Sequence, residues 1–148
     1  VGRGDYTTFM SGEEAGRPLS DRVYQVQSEM IRKLADRGPG IFVGRCADYI
    51  LKDYDNVLSV YIEAPRSHCL KNILRRMDVT VDEANDLITK TDKYRAEYYK
   101  FYTGGNYWTN PVNYDITLNS YRLGDDNCVT MIKNALKVKL GIDVSSAG

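Results

Sequence analysis

The sequence predicts an α/β fold in which a parallel sheet is flanked by helices. Two short runs, Ile41–Val43 and Val57–Ile62, are almost continuously apolar, which is typical of strands buried on both faces. Segments with a helical period lie before, between and after these runs. Because alternating helices and strands connect through right-handed crossovers, this order predicts parallel strands with helices on both faces of the sheet.

The first part of the chain predicts a helix, a strand and a short helix. Ser20 and Asp21 are candidate N-caps of the first helix, and Gly38-Pro39-Gly40 stops it. The strand Ile41–Val43 follows, and then a helix over about residues 45–53. The apolar positions that define the first helix are Val23, Val26, Met30, Ile31 and Leu34.

The second part continues the alternation. The strand Val57–Ile62 ends before Pro65, which suits the entry to a helix running to about residue 77. Thr80 and Glu83 form a capping box that opens the next helix. A third strand, Tyr114–Leu118, precedes a last helix that ends near residue 141. The buried positions of the three helices are predicted at Leu70, Ile73, Leu74 and Met77, at Val81, Ala84, Leu87 and Ile88, and at Val129, Ile132, Ala135 and Leu136.

The composition describes one ordinary globular domain. Apolar residues make up 43% and charged residues 27% of the 148 residues. Twenty basic residues balance twenty acidic ones, so no global field directs the chain to nucleic acid or to a membrane, and neither partner is expected. We expect a flexible segment over residues 1–18, the folded domain over 19–140 and a tail over 141–148.

The cysteines favour a reducing, cytoplasmic compartment. Cys46, Cys69 and Cys128 are odd in number, widely spaced and without a C-x-x-C pair, which argues against a disulfide framework or a zinc site. His68 is the one histidine, and no metal site is predicted around it. The chain has no charged-then-apolar leader and no apolar run of about 18 residues, so secretion and membrane spanning are not expected.

Arg45 is the first candidate for binding a ligand. It follows the predicted strand Ile41–Val43, and ligands of open α/β sheets bind at the carboxyl ends of strands. The planar guanidinium donates two parallel hydrogen bonds, a geometry that suits a phosphate. The alternative is an Arg45 that pairs with a carboxylate on a neighbouring loop.

Three segments, in order, resemble the cytidylate kinase-like proteins, a branch of the nucleoside monophosphate kinases. The segment 43–51 (VGRCADYIL) is similar to the family's Gly-Arg segment, which binds the acceptor phosphate. Residues 90–99 (KTDKYRAEYY), followed by Tyr102-Thr103-Gly104, resemble the mobile lid, and residues 113–119 (NYDITLN) resemble the strand after it. The resemblance covers about residues 19–140. It implies a P-loop kinase-like fold, a three-layer α/β sandwich, with a helical lid over about 90–112.

The resemblance also implies a function. A protein of this family transfers the terminal phosphoryl group of ATP, bound with Mg²⁺, to CMP or a similar acceptor. Its partners are then a nucleoside monophosphate and ATP. Carried over residue by residue, the resemblance places Arg45 and Asp48 at the acceptor and Lys90, Asp92 and Arg95 in the lid.

Asp92 and Arg95 are the predicted catalytic residues. They lie three residues apart on one helix face, so Asp92 can orient Arg95 toward the transferring phosphoryl group. The alternative is an exposed ion pair, which stabilises a helix by only about 0.2–0.5 kcal/mol.

The sequence departs from the family pattern at several positions. Cys69 and Asn72 stand near positions where family members commonly have arginines. The candidate replacements are Lys71, Arg75 and Arg76, of which Arg75 and Arg76 are predicted to bind substrate. The motif G-x-x-x-x-G-K-[ST] is absent, so we expect the chain to lack the first strand and the phosphate loop and to be an incomplete, inactive part of a kinase. An edge left open by a missing strand is a surface for a homo-oligomer. The alternative function is a non-catalytic nucleotide-binding or protein-interaction module.

Two further features leave alternatives open. Asp115, at the start of its strand, either lies near magnesium or caps a turn. The aromatic residues near the lid either form a stacking wall for a base, resemble a platform for single-stranded nucleic acid, or pack within the core and lid. These residues are Tyr98, Tyr99, Tyr102, Tyr107 and Trp108.

Overall fold

The computed structural model describes residues 17–144 of the chain. Most of the predicted N-terminal segment and the last four residues of the predicted tail lie outside these described residues. The chain divides into two compact units, residues 1–50 and 51–148, and each unit is described below by itself.

The first unit contains a long helix, α1 (Arg17–Arg37), and a short one, α2 (Ala47–Ile50). The predicted first helix is confirmed, but its predicted start is wrong, because Ser20 and Asp21 lie inside α1. Pro18 explains the earlier start: proline fixes φ at a helical value and is tolerated in the first turn, where its missing N–H is not needed.

The predicted strand Ile41–Val43 is also wrong, since this segment has no regular secondary structure. The side chains of Ile41 and Val43 are 95% and 89% exposed. A strand exists only where a neighbouring strand pairs with its backbone, and the described sheet has two strands, neither of which is this run. An apolar run therefore indicates a candidate strand, but it does not show whether another strand pairs with it.

The second unit contains a small parallel sheet, which confirms the predicted strand direction. Strand β1 (Val60–Glu63) pairs with β2 (Ile116–Asn119), with Val60 opposite Ile116 and Glu63 opposite Asn119. Helices lie before, between and after these strands, so the described residues form a mixed helix and strand structure that is compatible with an α/β fold. The three-layer kinase-like arrangement stays a prediction.

Helices α3 (Arg66–Arg76) and α4 (Val81–Tyr102) form a hairpin between the two strands. The predicted capping box is confirmed: the Thr80 N–H donates to Glu83 Oε2 at 2.8 Å, and the Glu83 N–H donates to Thr80 Oγ1 at 3.2 Å. Ala84 and Ile88 are buried as predicted, whereas Val81 and Leu87 are exposed. The α3 stripe is weaker than predicted, since Met77 is exposed and no residue of α3 is fully buried.

A 3₁₀ helix (Pro111–Asn113) leads into β2, and two helices, α5 (Ser120–Leu123) and α6 (Asp125–Leu140), follow it. Gly141 ends α6 with a φ of 67°, the left-handed conformation that glycine favours at this position. The predicted buried position Val129 is wrong, because Val129 is exposed and its neighbour Cys128 is buried instead. Cys128 precedes Ile132 by four residues and Ala135 by seven, so Cys128 shares their face of α6, whereas Val129 is turned about 100° away from Cys128.

Candidate functional site

The candidate site of the second unit is centred on Arg95, in the C-terminal half of α4. Arg95 Nη1 lies 4.0 Å from Asp92 Oδ1, so the predicted pairing within one helix turn is present. The guanidinium carbon lies 5.8 Å from the centre of the Trp108 ring, within the range of a cation–π contact. We call the group formed by Asp92, Arg95, Trp108, Tyr61 and Tyr114 the Arg95 cluster.

Two tyrosines from the sheet region hold Trp108 in place. The Tyr61 ring meets the Trp108 ring edge-on, with centres 5.7 Å apart and planes at 87°. The Tyr114 hydroxyl donates to the Trp108 carbonyl oxygen at 2.6 Å, and the rings of Tyr114 and Tyr61 stack with centres 5.1 Å apart. Both the ring and the backbone of Trp108 are therefore anchored to the sheet.

The charges around Tyr61 keep its phenol neutral. Partial burial raises the pKa of Tyr61, and the carboxylates of Glu63 and Asp92 raise this pKa further, while Arg95 opposes them. Tyr61 is thus protonated at neutral pH, and an O–H of this kind remains able to donate a hydrogen bond.

Arg95 contacts Asp92 and Trp108, and its side chain is also accessible to solvent. Its side chain is 54% exposed, and that of Asp92 is 55% exposed. A guanidinium has five N–H donors in a rigid fork, so one contact with a carboxylate and one with a ring face leave donors for a further anion. The cluster can therefore bind a phosphoryl oxygen without first losing its own contacts.

The first unit carries Arg45 on a left-handed turn and Asp48 in the helix that follows it. Gly44, Arg45 and Cys46 have φ angles of 71°, 57° and 57°, and the Ala47 N–H donates to the Gly44 carbonyl oxygen at 3.1 Å. Two consecutive non-glycine residues in this region store backbone strain, which is common at ligand-binding segments. Arg45 is exposed and Asp48 half-buried, and α2 begins directly after this turn.

Cys46 anchors the same turn in the interior of the first unit. Its side chain is buried. Burial and, to a smaller extent, the nearby Asp48 carboxylate raise the pKa of the Cys46 thiol, and Arg45 partly opposes them; the resulting pKa is about 12. The thiol therefore stays neutral at physiological pH and acts as an apolar group in packing.

The hairpin separates the remaining predicted substrate-binding residues from Arg95. Arg66 donates to the Asn85 carbonyl oxygen and to Thr89 Oγ1, both at 2.8 Å, which sets the start of α3 beside the first half of α4. From there Arg75 and Arg76 lie about 14–15 Å along α3 toward the connection at residues 77–80, whereas Arg95 lies about 9 Å beyond Thr89 in the other direction.

Lys90 lies on α4 but not beside Arg95. Five residues correspond to about 140° around a helix, so the two side chains leave different faces. Lys90 is exposed, and Arg75 contacts Asn72 Oδ1 at 3.3 Å. The roles of Lys90, Arg75 and Arg76 in binding substrate stay predictions.

Comparison with known proteins gives evidence on the function of this site. The model of the cytidylate kinase-like family matches residues 3–122, which is most of the chain and includes both Arg45 and Arg95. The chain belongs to the cytidylate kinase-like family. The resemblance seen in the sequence is confirmed, and membership supports a kinase-like function.

One solved structure has a similar fold. The crystal structure of an uncharacterized protein from Eubacterium ventriosum ATCC 27560 matches with a TM-score of 0.71 and 28% sequence identity, over 78% of this chain. The cytidylate kinase-like chain spans 65% of that protein's length. No curated protein matches the present chain. None of the helices described between residues 17 and 144 is long and apolar enough to cross a membrane.

Asp115 makes structural contacts to two other segments of the second unit. Asp115 Oδ2 accepts from the Ser59 N–H at 2.8 Å and from Lys139 Nζ at 2.7 Å. Partial burial raises the pKa of Asp115, but these two hydrogen bonds and the Lys139 charge lower it more, so the carboxylate is ionised. These contacts join the segment before β2 to the segment before β1 and to α6, and they are not those of a local turn cap.

The magnesium that the family resemblance implies has no pre-formed cage in the described part of the chain. Residues 17–144 contain no group of three or more His, Cys, Asp or Glu side chains placed to hold a metal ion. Magnesium in phosphoryl transfer commonly binds through substrate phosphates and one or two carboxylates.

Sequence reasoning missed two members of the Arg95 cluster. Tyr61 lies in β1 and Tyr114 lies just before β2, and their rings stack because the pairing of β1 with β2 brings these two parts of the chain together. No local signal in the sequence identified this contact, because the two residues are far apart along the chain. The other aromatics differ in role: Tyr99 is buried in the core, while Tyr98 and Tyr102 pack along α4 with ring centres 4.7 Å apart.

Proposed function

We propose that the protein is a nucleoside monophosphate kinase that transfers the terminal phosphoryl group of MgATP to CMP or a related acceptor. The observation that carries this proposal is Arg95, a half-exposed guanidinium fixed by Asp92 and Trp108 in a member of the cytidylate kinase-like family. Fixed positive charge with free donors is what a transferring phosphoryl group requires of a protein.

The chemistry asks for positioning and charge rather than a general base. An ionised oxygen of the acceptor phosphate attacks the γ-phosphorus of ATP, and the bond between that phosphorus and the β,γ-bridging oxygen breaks to release ADP. No proton has to be removed, because the attacking oxygen already carries negative charge. Arg95 contributes N–H donors to the equatorial oxygens, where negative charge is spread in the transition state.

Arg45 is the proposed anchor of the acceptor phosphate. It is exposed on a strained left-handed turn that directly precedes α2, with the Asp48 carboxylate in that helix. A bidentate guanidinium–phosphate contact fixes both position and orientation of the acceptor. The proposal assigns no residue of this chain to the β-phosphate of ATP.

A second candidate is a non-catalytic nucleotide-binding or protein-interaction module. Two residues of α3 favour it, because they stand near positions where the family resemblance implies arginines. The Cys69 thiol contacts the Ala64 carbonyl oxygen at 3.8 Å, and Asn72 accepts a hydrogen bond from Arg75. Each of these two side chains thus contacts a residue that is close to it in the sequence.

A coupled assay of ADP release separates the two candidates. The full-length protein is given MgATP and a panel of nucleoside monophosphates, and we expect turnover with a pyrimidine monophosphate. Arg45→Ala removes charged hydrogen bonds and is expected to raise the KM for the acceptor by roughly 10- to 100-fold. Arg37→Ala, an exposed arginine at the end of α1, is the matched control and is expected to leave the KM unchanged. No turnover with any acceptor would favour the module.

A further inference from the structure

The contact between Arg95 and Asp92 does not by itself fix the guanidinium. The two charged atoms are 4.0 Å apart, and both side chains are more than half exposed. Exposed ion pairs of this kind contribute little, because water screens the charges and both side chains lose freedom. A second contact is needed to set the direction in which the donors of Arg95 point.

Trp108 supplies that contact from outside the helix. The centre of its ring lies 5.8 Å from the Arg95 guanidinium carbon, and the ring makes a T-shaped contact with the ring of Tyr61. Its backbone is held by the Tyr114 hydroxyl at 2.6 Å. An indole is the strongest cation–π partner among the side chains, and its flat face orients a planar guanidinium.

We propose that Trp108 is a positioning residue that sets the orientation of Arg95 for phosphoryl transfer. The proposal rests on the proposed function and deepens it, since it names how the catalytic guanidinium is held. Trp108 acts through Arg95 and does not touch the substrate. The chain of contacts from Tyr114 and Tyr61 through Trp108 links the orientation of Arg95 to the sheet.

A neighbouring pair provides a matched control. Lys100 Nζ lies 5.4 Å from the centre of the Tyr107 ring. This is a second cation–π pair, and its aromatic residue directly precedes Trp108 in the sequence. The Tyr107 side chain is 64% exposed, and this pair includes no member of the Arg95 cluster. Tyr107→Ala therefore removes a similar contact from the same loop without touching Arg95.

The kinetic test uses the full-length protein with MgATP and CMP. Misplacing a catalytic group costs rate rather than affinity, so Trp108→Ala is expected to lower kcat by about 10-fold and to change the KM for CMP by less than about twofold. Trp108→Phe keeps an aromatic face and is expected to recover most of the rate. In an Arg95→Ala background, Trp108→Ala is expected to cause no further loss.

Two results would overturn the proposal: an equal loss of kcat from Trp108→Ala with and without Arg95, or a Trp108→Phe variant as slow as Trp108→Ala. Tyr107→Ala is expected to match the wild type. A loss of kcat in that variant as large as in Trp108→Ala would also count against the proposal, because the loop as a whole would then be responsible.

A fluorescence measurement on this 148-residue chain distinguishes failure of the proposal from failure of the proposed function. Trp108 is its one tryptophan, so acrylamide quenching reports the accessibility of that ring alone. Arg95→Ala is expected to raise the quenching constant, whereas Lys100→Ala is expected to leave it unchanged. An unchanged constant in Arg95→Ala would refute the contact and the proposal with it. Raised quenching without turnover in any kinase assay would mean that the contact exists and the proposed function fails.

Discussion

At the scale of single residues, the left-handed turn over Gly44, Arg45 and Cys46 is the most constrained segment of the first unit. Side chains with a Cβ disfavour this region by roughly 1–2 kcal/mol per residue. Arg45 nevertheless occupies it, at the position where the family resemblance places the acceptor phosphate. The strain is consistent with a residue selected for its guanidinium rather than for its backbone preference.

Replacing Arg45 by glycine or alanine separates strain from binding. Both variants lose the guanidinium, so both are expected to lose acceptor affinity equally. Glycine adopts a φ of 57° without a Cβ clash, so Arg45→Gly is expected to be about 1 kcal/mol more stable than Arg45→Ala. Urea unfolding of the two variants measures this difference. A less stable Arg45→Gly would show that the turn is not strained at this residue.

The Cys46 thiol gives a prediction for alkaline pH. The pKa of this thiol is raised to about 12 in the folded chain. The stability that the neutral thiol contributes is therefore complete below the pKa of the unfolded thiol, and it is lost as pH rises through the folded pKa. Between pH 8 and pH 10 we expect the free energy of unfolding to fall by roughly 2 kcal/mol more in the wild type than in Cys46→Ala. Urea unfolding at both pH values, with Cys69→Ala as the control, checks this. Parallel pH slopes for wild type and Cys46→Ala would contradict it.

At the scale of elements, the Asp115 carboxylate joins the approach to β1 to α6. It receives the Ser59 N–H and the Lys139 ammonium, while the Asp115 N–H donates back to the Ser59 carbonyl oxygen at 2.9 Å. These contacts join segments that are far apart in sequence, so they fix the pairing of β1 with β2 at its start.

Lys139→Met tests this connection. The two side chains are 39% and 32% exposed, so solvent screens the pair and the expected loss at pH 7 is at most about 1 kcal/mol. Since the pKa of Asp115 is lowered, the contribution is present at neutral pH and lost as pH falls through the folded pKa. The difference between Lys139→Met and wild type in urea unfolding should therefore vanish in acid. Lys137→Met, whose more exposed partner is Asp143 at 3.3 Å, is the control and is expected to lose less. Equal losses in both variants would contradict the account.

The elements also show what the sequence could and could not predict. Local signals identified the capping box of α4, the proline entry to α3 and the glycine end of α6, because each depends on residues within one or two turns. In contrast, which strands pair with each other does not depend on such local signals. Ile41–Val43 has a stronger apolar run than β2, but β2 has a partner and Ile41–Val43 does not. The same limit applies to the site: the pairing of Asp92 with Arg95 followed from helix spacing, whereas the contact of Tyr61 with Tyr114 joins residues that are far apart in sequence.

At the scale of the whole molecule, the two units divide the proposed work. Under the proposed function, Arg45 and Asp48 of the first unit would bind the acceptor phosphate, and Asp92 and Arg95 of the second unit would act on the transferring group. Membership of the cytidylate kinase-like family spans both units, since the matched residues 3–122 include all four side chains. The central claim is that Arg95 stabilises the phosphoryl group during transfer.

The measurement that tests this claim most directly is the kcat of Arg95→Ala in the full-length protein, with MgATP and its best acceptor. Removing one donor to a transition-state charge typically costs about 10²- to 10³-fold, so kcat should fall by at least about 100-fold. Lys93→Ala is the matched control: Lys93 is an exposed cation on the same helix, 3.8 Å from Glu97, and its loss should change kcat by less than about twofold. An Arg95→Ala enzyme that keeps the wild-type kcat would contradict the account.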